Sequence, residues 1–190
     1  FDNVILKHFI DSLYLAKYFN LKKNMSVIDV GCGAGFPGIP LGIAFENLQV
    51  TLLDSLNKRI SFLCYVKDVI GLENVFPLHG RAEEMAKNNF REKFDLCVSR
   101  AVSNISTLCE YCLPFVLKGG YFVSYKSGEY EEELQNGMKA IDILGGNVER
   151  TETFYLPDTD IKRSFIIIKK IKETPLSYPR RAGKPAKTPL

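Results

Sequence analysis

A chain of 190 residues, 46% hydrophobic and 25% charged, is long enough to bury one core and too balanced in composition to be disordered. Its longest apolar runs, such as Phe165-Ile166-Ile167-Ile168, have strand length and fall far short of a membrane span. The net charge of +3 is unevenly spread: from Lys162 to Leu190 nine Lys/Arg stand against Glu173 alone, a local +8, while the other 161 residues carry 16 basic and 21 acidic side chains, a local −5. A mildly acidic body with a basic C-terminal edge suggests a polyanion contacted on one side.

The opening residues mix Asp2, Lys7, His8 and Asp11 into a helical pattern unlike a signal peptide, so a cytoplasmic protein is expected. The chain starts at Phe1 rather than Met, and a preceding native piece is expected to be missing. Apolar spacing predicts a helix over residues 4–20, broken by Asn20–Asn24. Ser26–Val30 reads as a buried parallel strand ending in glycines, and Pro37 opens a helix reaching about Glu46. Gln49–Leu53 is a second strand closed by Asp54, and Ser55 is expected to cap a helix over Leu56–Ile70 with an apolar stripe at Ile60, Leu63, Val66 and Val69 or Ile70.

Val75–Leu78 is a third strand, which Pro77 assigns to a sheet edge. Phe94–Ser99 is a fourth, followed by a helix through Leu108 and Leu113, and Gly119-Gly120 turns into a fifth at Tyr121–Tyr125. A helix from Glu129 to Leu144 stops at Gly145-Gly146. Two last strands, near Val148–Tyr155 and Ser164–Ile171, have no helix between them, so one is expected to run antiparallel. The fold class is therefore α/β: a Rossmann-like, mostly parallel seven-stranded sheet with helices on both faces and an antiparallel strand near the C-terminus. A single domain is expected, with an N-terminal helix at 1–24, a cofactor-binding core at 25–172 and a basic, Pro-rich segment at 173–190.

Five cysteines (Cys32, Cys64, Cys97, Cys109, Cys112) spread through apolar segments read as reduced, buried thiols. Cys109-x-x-Cys112 lacks a second pair to complete a metal site and reads as a pair on one helix face, so no metal is expected. Tyr65, Phe122 and Tyr125 follow element periodicity and are expected in the core.

The chemistry begins at Asp29-Val30-Gly31-Cys32-Gly33-Ala34-Gly35-Phe36-Pro37-Gly38. Gly31, Gly33 and Gly35 stand where a first strand turns into a helix, a bend that needs positive φ and lets a ligand approach bare backbone. Asp54, at the end of the second strand, is placed to accept both hydroxyls of an adenosine ribose. A dinucleotide turn would want glycine at 36, where Phe36 stands. Asp29 ahead of the bend can meet the ammonium of a methionine moiety but would repel a pyrophosphate, which favours S-adenosylmethionine over NAD. Ala82 and Glu83, just past the third strand, stand where an adenine ring is within reach, and Arg100, ending the fourth, is placed to orient the cofactor carboxylate or an RNA phosphate. Taken alone, Glu83 reads rather as helix N-terminal charge and Arg100 as a surface ion pair, and Ser55 beside Asp54 is counted with the cofactor set. The competing readings are an NAD-dependent oxidoreductase, a non-catalytic RNA-binding or assembly protein, and a small-molecule or DNA methyltransferase, the last disfavoured mainly by the basic terminal segment.

At these residues the chain resembles the RsmG (GidB) family of small-subunit ribosomal RNA guanine-N7 methyltransferases. The matching pieces are His8–Leu13, Asp29–Leu41, Leu53–Arg59, Arg81-Ala82-Glu83, Ser99-Arg100-Ala101 and Tyr178–Pro185. The resemblance implies a class I S-adenosylmethionine-dependent methyltransferase acting on 16S ribosomal RNA or the small ribosomal subunit, at a guanine of the decoding-centre loop. It implies cofactor contacts at Gly31, Phe36, Ala82, Glu83 and Arg100, S-adenosyl-L-homocysteine as product, and further N-terminal helices ahead of the His8 segment. N7 of guanine bears no proton, so no general base is expected. Arg100 and Lys126 are the expected orienting groups, and His8, Lys126, Arg180, Arg181 and Lys184 the expected RNA contacts. His8 on its own reads rather as a structural histidine bonded to backbone, His79 more so, while the place of His8 in the family motif argues for a position near the pocket. A monomer is expected, with neither DNA nor membrane as a partner.

Overall fold

The structure, a computed structural model, describes residues 2–100 and 103–190; Phe1, Val102 and the Ala101 of the Ser99-Arg100-Ala101 motif lie outside them. Seven strands form one sheet: β1 (Ser26–Val30), β2 (Gln49–Asp54), β3 (Val75–His79), β4 (Phe94–Arg100), β5 (Val116–Ser127), β6 (Gly146–Tyr155) and β7 (Lys162–Lys170). Their order is β3-β2-β1-β4-β5-β7-β6, with β3, carrying Pro77, at an edge as its missing N–H requires. The pairs among β1 to β5 are parallel, and β7 runs antiparallel to both β5 and β6. The order reverses at β1, so the crevice beyond its carboxyl end is where an open α/β sheet binds ligands.

Alternation along the central strands splits the core in two. Val27 faces one apolar layer with Leu15, Leu41, Ile60 and Leu63; Ile28 faces the other with Leu108, Cys112, Ala140 and Ile141. The first layer is covered by the N-terminal helical segment and the helices Gly38–Ala44 and Asn57–Ile70, the second by Ile105–Cys112 and Glu131–Ile143.

Several local expectations change. The first helix is not a plain α-helix: Ile5–Ile10 forms a π turn, α-helical turns follow to Tyr18, and Val4, Ile5 and Phe9 are exposed. The Ser12 hydroxyl bonds the carbonyl of His8 four residues back, a bond that competes with the regular ladder. Ser55 caps nothing. The helix starts at Asn57 without a side-chain cap, and the Leu56 N–H goes instead to Asp54 Oδ1 at 2.9 Å. On that helix Ile60 and Leu63 are buried while Val69, Ile70 and Tyr65, the last 67% exposed, face solvent. A helix beside an edge strand has one covered side, which its two buried residues fill. Phe122 and Tyr125 are core as expected, and Cys64 is exposed where burial was expected. The segment after Pro175 is not free: it folds back onto the helices after β3 and β4 and ends in a short turn of helix, Lys184–Lys187.

Gly35 shows why the bend cannot carry a side chain. Its φ is +99°, and an added Cβ would lie 2.5 Å from Ile39 Cγ1 and 2.8 Å from Leu63 Cδ2. Gly35→Ala is expected to cost about 2–4 kcal/mol from backbone strain and core overlap together. Urea unfolding would check this, and a loss below about 1 kcal/mol would refute the packing account.

Candidate functional site

At the carboxyl ends of β1 to β4 the chain leaves a cavity of about 890 Å³, within the range of small-molecule sites. Nine residues expected from the sequence line it: His8, Gly31, Gly33, Phe36, Asp54, Ser55, Ala82, Glu83 and Arg100. Asp29 and Gly35 lie behind the bend and do not line it, and neither do Lys126, Arg180, Arg181 and Lys184.

Asp54 organises the wall at β2. Its Oδ2 accepts the Gly33 N–H at 3.0 Å and a bond from Arg59 Nη1 at 3.1 Å, while Oδ1 accepts the Leu56 N–H. The carboxylate therefore holds the glycine bend to β2 and still borders the cavity. Arg59, one helical turn beyond Asp54, is a pocket residue that the element-by-element reading did not single out. Gly31 and Gly33 have φ of +73° and +58°. An added Cβ on Gly33 meets no atom of the described residues within 4 Å, so the space before it belongs to the cavity that Gly33 lines.

Asp29 is wholly buried: Oδ2 accepts the Gly38 N–H at 2.8 Å and Oδ1 has no hydrogen-bond partner among the described residues. Its expected direct contact with an ammonium is corrected accordingly, since alternation on β1 turns the side chain beneath the bend. Burial pushes the carboxyl up to about 7, against the Gly38 amide and Arg100, which favour the charged form. An unfolded aspartate titrates near 3.8, so between these values the folded protein keeps a proton that the unfolded chain has lost. The stabilisation is full below about pH 4 and is lost as pH rises through about 7. Asp29→Asn should therefore gain roughly 2–3 kcal/mol on the parent between pH 5 and pH 8. Parallel denaturant titrations at the two pH values check this, and a pH-independent difference would contradict it.

At the β4 end, Arg100 stands over the Phe36 ring, 5.3 Å from its centroid, and Phe36 also packs on Phe9 and on His8 at 5.2 Å. His8 is exposed at the cavity mouth, its Nδ1 3.3 Å from Arg100 Nη2, so the reading of a histidine satisfied by backbone is overturned. His79 does bond backbone, through Nε2 to the Ser55 carbonyl at 3.1 Å. At the β3 end, Glu83 is buried and accepts the Gly183 N–H at 2.9 Å, and Gly183 and Ala186 complete the wall. No local signal in the sequence announces this use of the tail.

Two expected phosphate contacts are engaged within the protein. Arg180 grips the wholly buried Glu110 through its Nε and Nη2, and its own N–H donates to the same carboxylate at 2.7 Å. The bond to Glu110 raises the pKa of Arg180 further. Lys126 Nζ pairs with Glu133 and donates to the Ser103 carbonyl at 3.1 Å. Cys109 and Cys112 are buried in the core, where loss of hydration holds both thiols protonated.

The cavity therefore offers a carboxylate for a diol at β2, open backbone at β1 and a guanidinium at β4, in one line across the strand ends. That order suits an adenosine joined to an amino-acid end. Strand β7, set antiparallel between β5 and β6, separates this sheet from the all-parallel dinucleotide-binding type. The protein is a class I S-adenosylmethionine-dependent methyltransferase.

The chain belongs to the GidB family, rRNA small subunit methyltransferase G, whose profile matches residues 1–162. A ribosomal RNA small subunit methyltransferase G from Lachnoclostridium phytofermentans is 56% identical over 191 residues, covering all of this chain and 79% of the relative. One from Alkaliphilus metalliredigens is 50% identical over 190 residues, covering 100% and 80%. Among solved structures, M. jannaschii TYW2 in complex with AdoMet has a TM-score of 0.66 at 15% identity, covering 85% of this chain and 77% of its own. The [4+2]-cyclase SpnF also reaches 0.66, at 14% identity, covering 85% and 80%. Such distant likeness shows the fold alone, and a cyclase among the neighbours makes the point that fold does not settle chemistry. The relatives give no support to the oxidoreductase or the non-catalytic reading.

Proposed function

We propose that the protein transfers the methyl group of S-adenosylmethionine to N7 of a guanine in the decoding-centre loop of 16S ribosomal RNA. The observation that carries this reading is membership of the rRNA methyltransferase family over residues 1–162. In it, Asp54 accepts the ribose hydroxyls, and the Gly31–Gly33 bend brings bare backbone against the ligand. Ala82 and Glu83 border the adenine, and Arg100 takes the amino-acid carboxylate. Ser55 contributes wall. S-adenosylmethionine, when bound, supplies a methyl group on a positively charged sulfur, which is neutral once the methyl has gone to N7.

The N7 lone pair carries no proton, so the side chains at the mouth need only orient the base and exclude water. His8 and Phe36, beside Arg100, are the groups placed for that. Arg181 and Lys184 are exposed on the segment that walls the cavity and are proposed to bind RNA phosphates, giving a salt-dependent affinity. Lys126 and Arg180, whose charges are engaged internally, are not. The reading takes the protein to be a cytoplasmic monomer whose macromolecular partner is RNA.

The deciding experiment maps N7 methylation on 16S rRNA from cells with and without the protein, alongside transfer of labelled methyl by the purified chain. Loss of one guanine modification, restored by the protein, is expected. Transfer to another atom, or none to rRNA, would overturn the reading.

A further inference from the structure

We propose that Asp11 is a positioning residue for the amino-acid end of the cofactor site: its buried carboxylate holds the Arg100 guanidinium on the cavity rim in the pose that receives the cofactor's carboxylate. The proposal rests on the S-adenosylmethionine reading above.

Three separate parts of the chain converge at this point. Asp11 follows the π turn of the N-terminal helical segment, Arg100 ends β4 and Arg163 lies near the start of β7. Asp11 Oδ2 is 3.3 Å from Arg100 Nη1 and 3.3 Å from Arg163 Nε, while Oδ1, also buried, has no hydrogen-bond partner among the described residues. The protein shows elsewhere what a guanidinium clamp with a purely structural task looks like: Arg180 spends Nε and Nη2 on both oxygens of Glu110. Arg100 is held differently. One edge is tethered, Nη1 to Asp11 and to the Lys7 carbonyl at 3.4 Å, with Nη2 facing His8 Nδ1. Its Nε–H and the second Nη2 hydrogen have no acceptor among the described residues, and Phe36 supports the plane of the group.

Arg100 lines the cavity and Asp11 does not, so Asp11 acts only through Arg100. A cofactor running from Asp54 on β2 across the bend after β1 brings its amino-acid end to β4, where Arg100 waits. An arginine free to swing would have to be ordered by the ligand at each binding event; the buried carboxylate orders it beforehand. Two guanidinium groups share the one Asp11 carboxylate, which leaves a positive charge in excess here, and a second carboxylate can be accepted on the open Nε–Nη2 edge of Arg100.

The test compares two ligands on the full chain by calorimetry: adenosylhomocysteine, which has the amino-acid group, and 5′-methylthioadenosine, which keeps the adenosine and thioether and lacks it. Asp11→Asn should weaken adenosylhomocysteine about tenfold and leave methylthioadenosine within about twofold of the parent. Equal weakening of both ligands would show a general loss of pocket shape and overturn the proposal. No change in either would show that Arg100 is held without Asp11, and overturn it as well. Should Asp11→Asn prove too unstable, Asp11→Asn combined with Arg163→Gln restores the local charge balance, and the same ligand ratio is read. Arg163→Gln alone should leave the ratio unchanged. If the parent bound neither ligand, the cofactor reading itself would fall, a result distinct from each of these.

Discussion

Asp54→Ala is expected to weaken adenosylhomocysteine binding by about 100-fold or more, since two hydrogen bonds to a charged acceptor each contribute roughly 1.5–3 kcal/mol. The loss has a second source within the protein. The carboxylate accepts the Gly33 and Leu56 amides, so its removal frees the bend from the end of β2 as well as deleting the ribose acceptor. Asp54→Asn should fall between parent and Ala, because its amide nitrogen turns a donor towards these N–H groups. Arg59 offers the contrast. It reaches Asp54 Oδ2 from a side chain 52% exposed, where an ion pair contributes little, so Arg59→Ala should change affinity by less than about threefold. Calorimetry on the four proteins decides it. A loss below about threefold for Asp54→Ala would remove the ribose assignment.

The largest effect on stability should come from a residue that the charge pattern marks as an RNA contact. Arg180→Ala would strand the Glu110 carboxylate, which has 0% exposure, without its cation. Breaking a buried pair on one side costs about 3–5 kcal/mol, or roughly a 10 °C fall in Tm for a chain of this size. Replacing both partners, Glu110→Gln with Arg180→Met, should recover much of that loss, because nothing charged is then left buried. Arg181→Ala removes an exposed charge one residue along and should leave Tm within about 2 °C. Its effect should appear instead in the salt dependence of RNA binding, whose log–log slope should fall by about one. Thermal unfolding and binding at several salt concentrations separate the two arginines. An Arg180→Ala protein as stable as the parent would refute the clamp.

That pair shows where sequence reading stops. Counting Lys and Arg after Lys162 identifies a basic edge, but Arg180 and Arg181 look alike until a glutamate 70 positions away is brought against one of them. Lys126 is the same case, its charge met by Glu133 and the Ser103 carbonyl. The helix Asn57–Ile70 fails for a related reason. Its apolar residues outnumber what one covered side can bury, and periodicity does not say that the neighbouring strand is the sheet edge.

What the chain shows by itself is what depends on neighbours a few residues apart. The strand and helix alternation, the positive-φ glycines after β1 and the acid closing β2 follow from backbone sterics and side-chain period, which act locally. The tertiary structure alone decided which charges meet solvent and which meet each other. It buried Asp29 under the bend, brought Asp11 to Arg100 and laid the tail along the cavity. Each of these joins parts of the chain that only long-range packing brings together, and burial turns such a meeting into a strong interaction by removing the water that would have screened it.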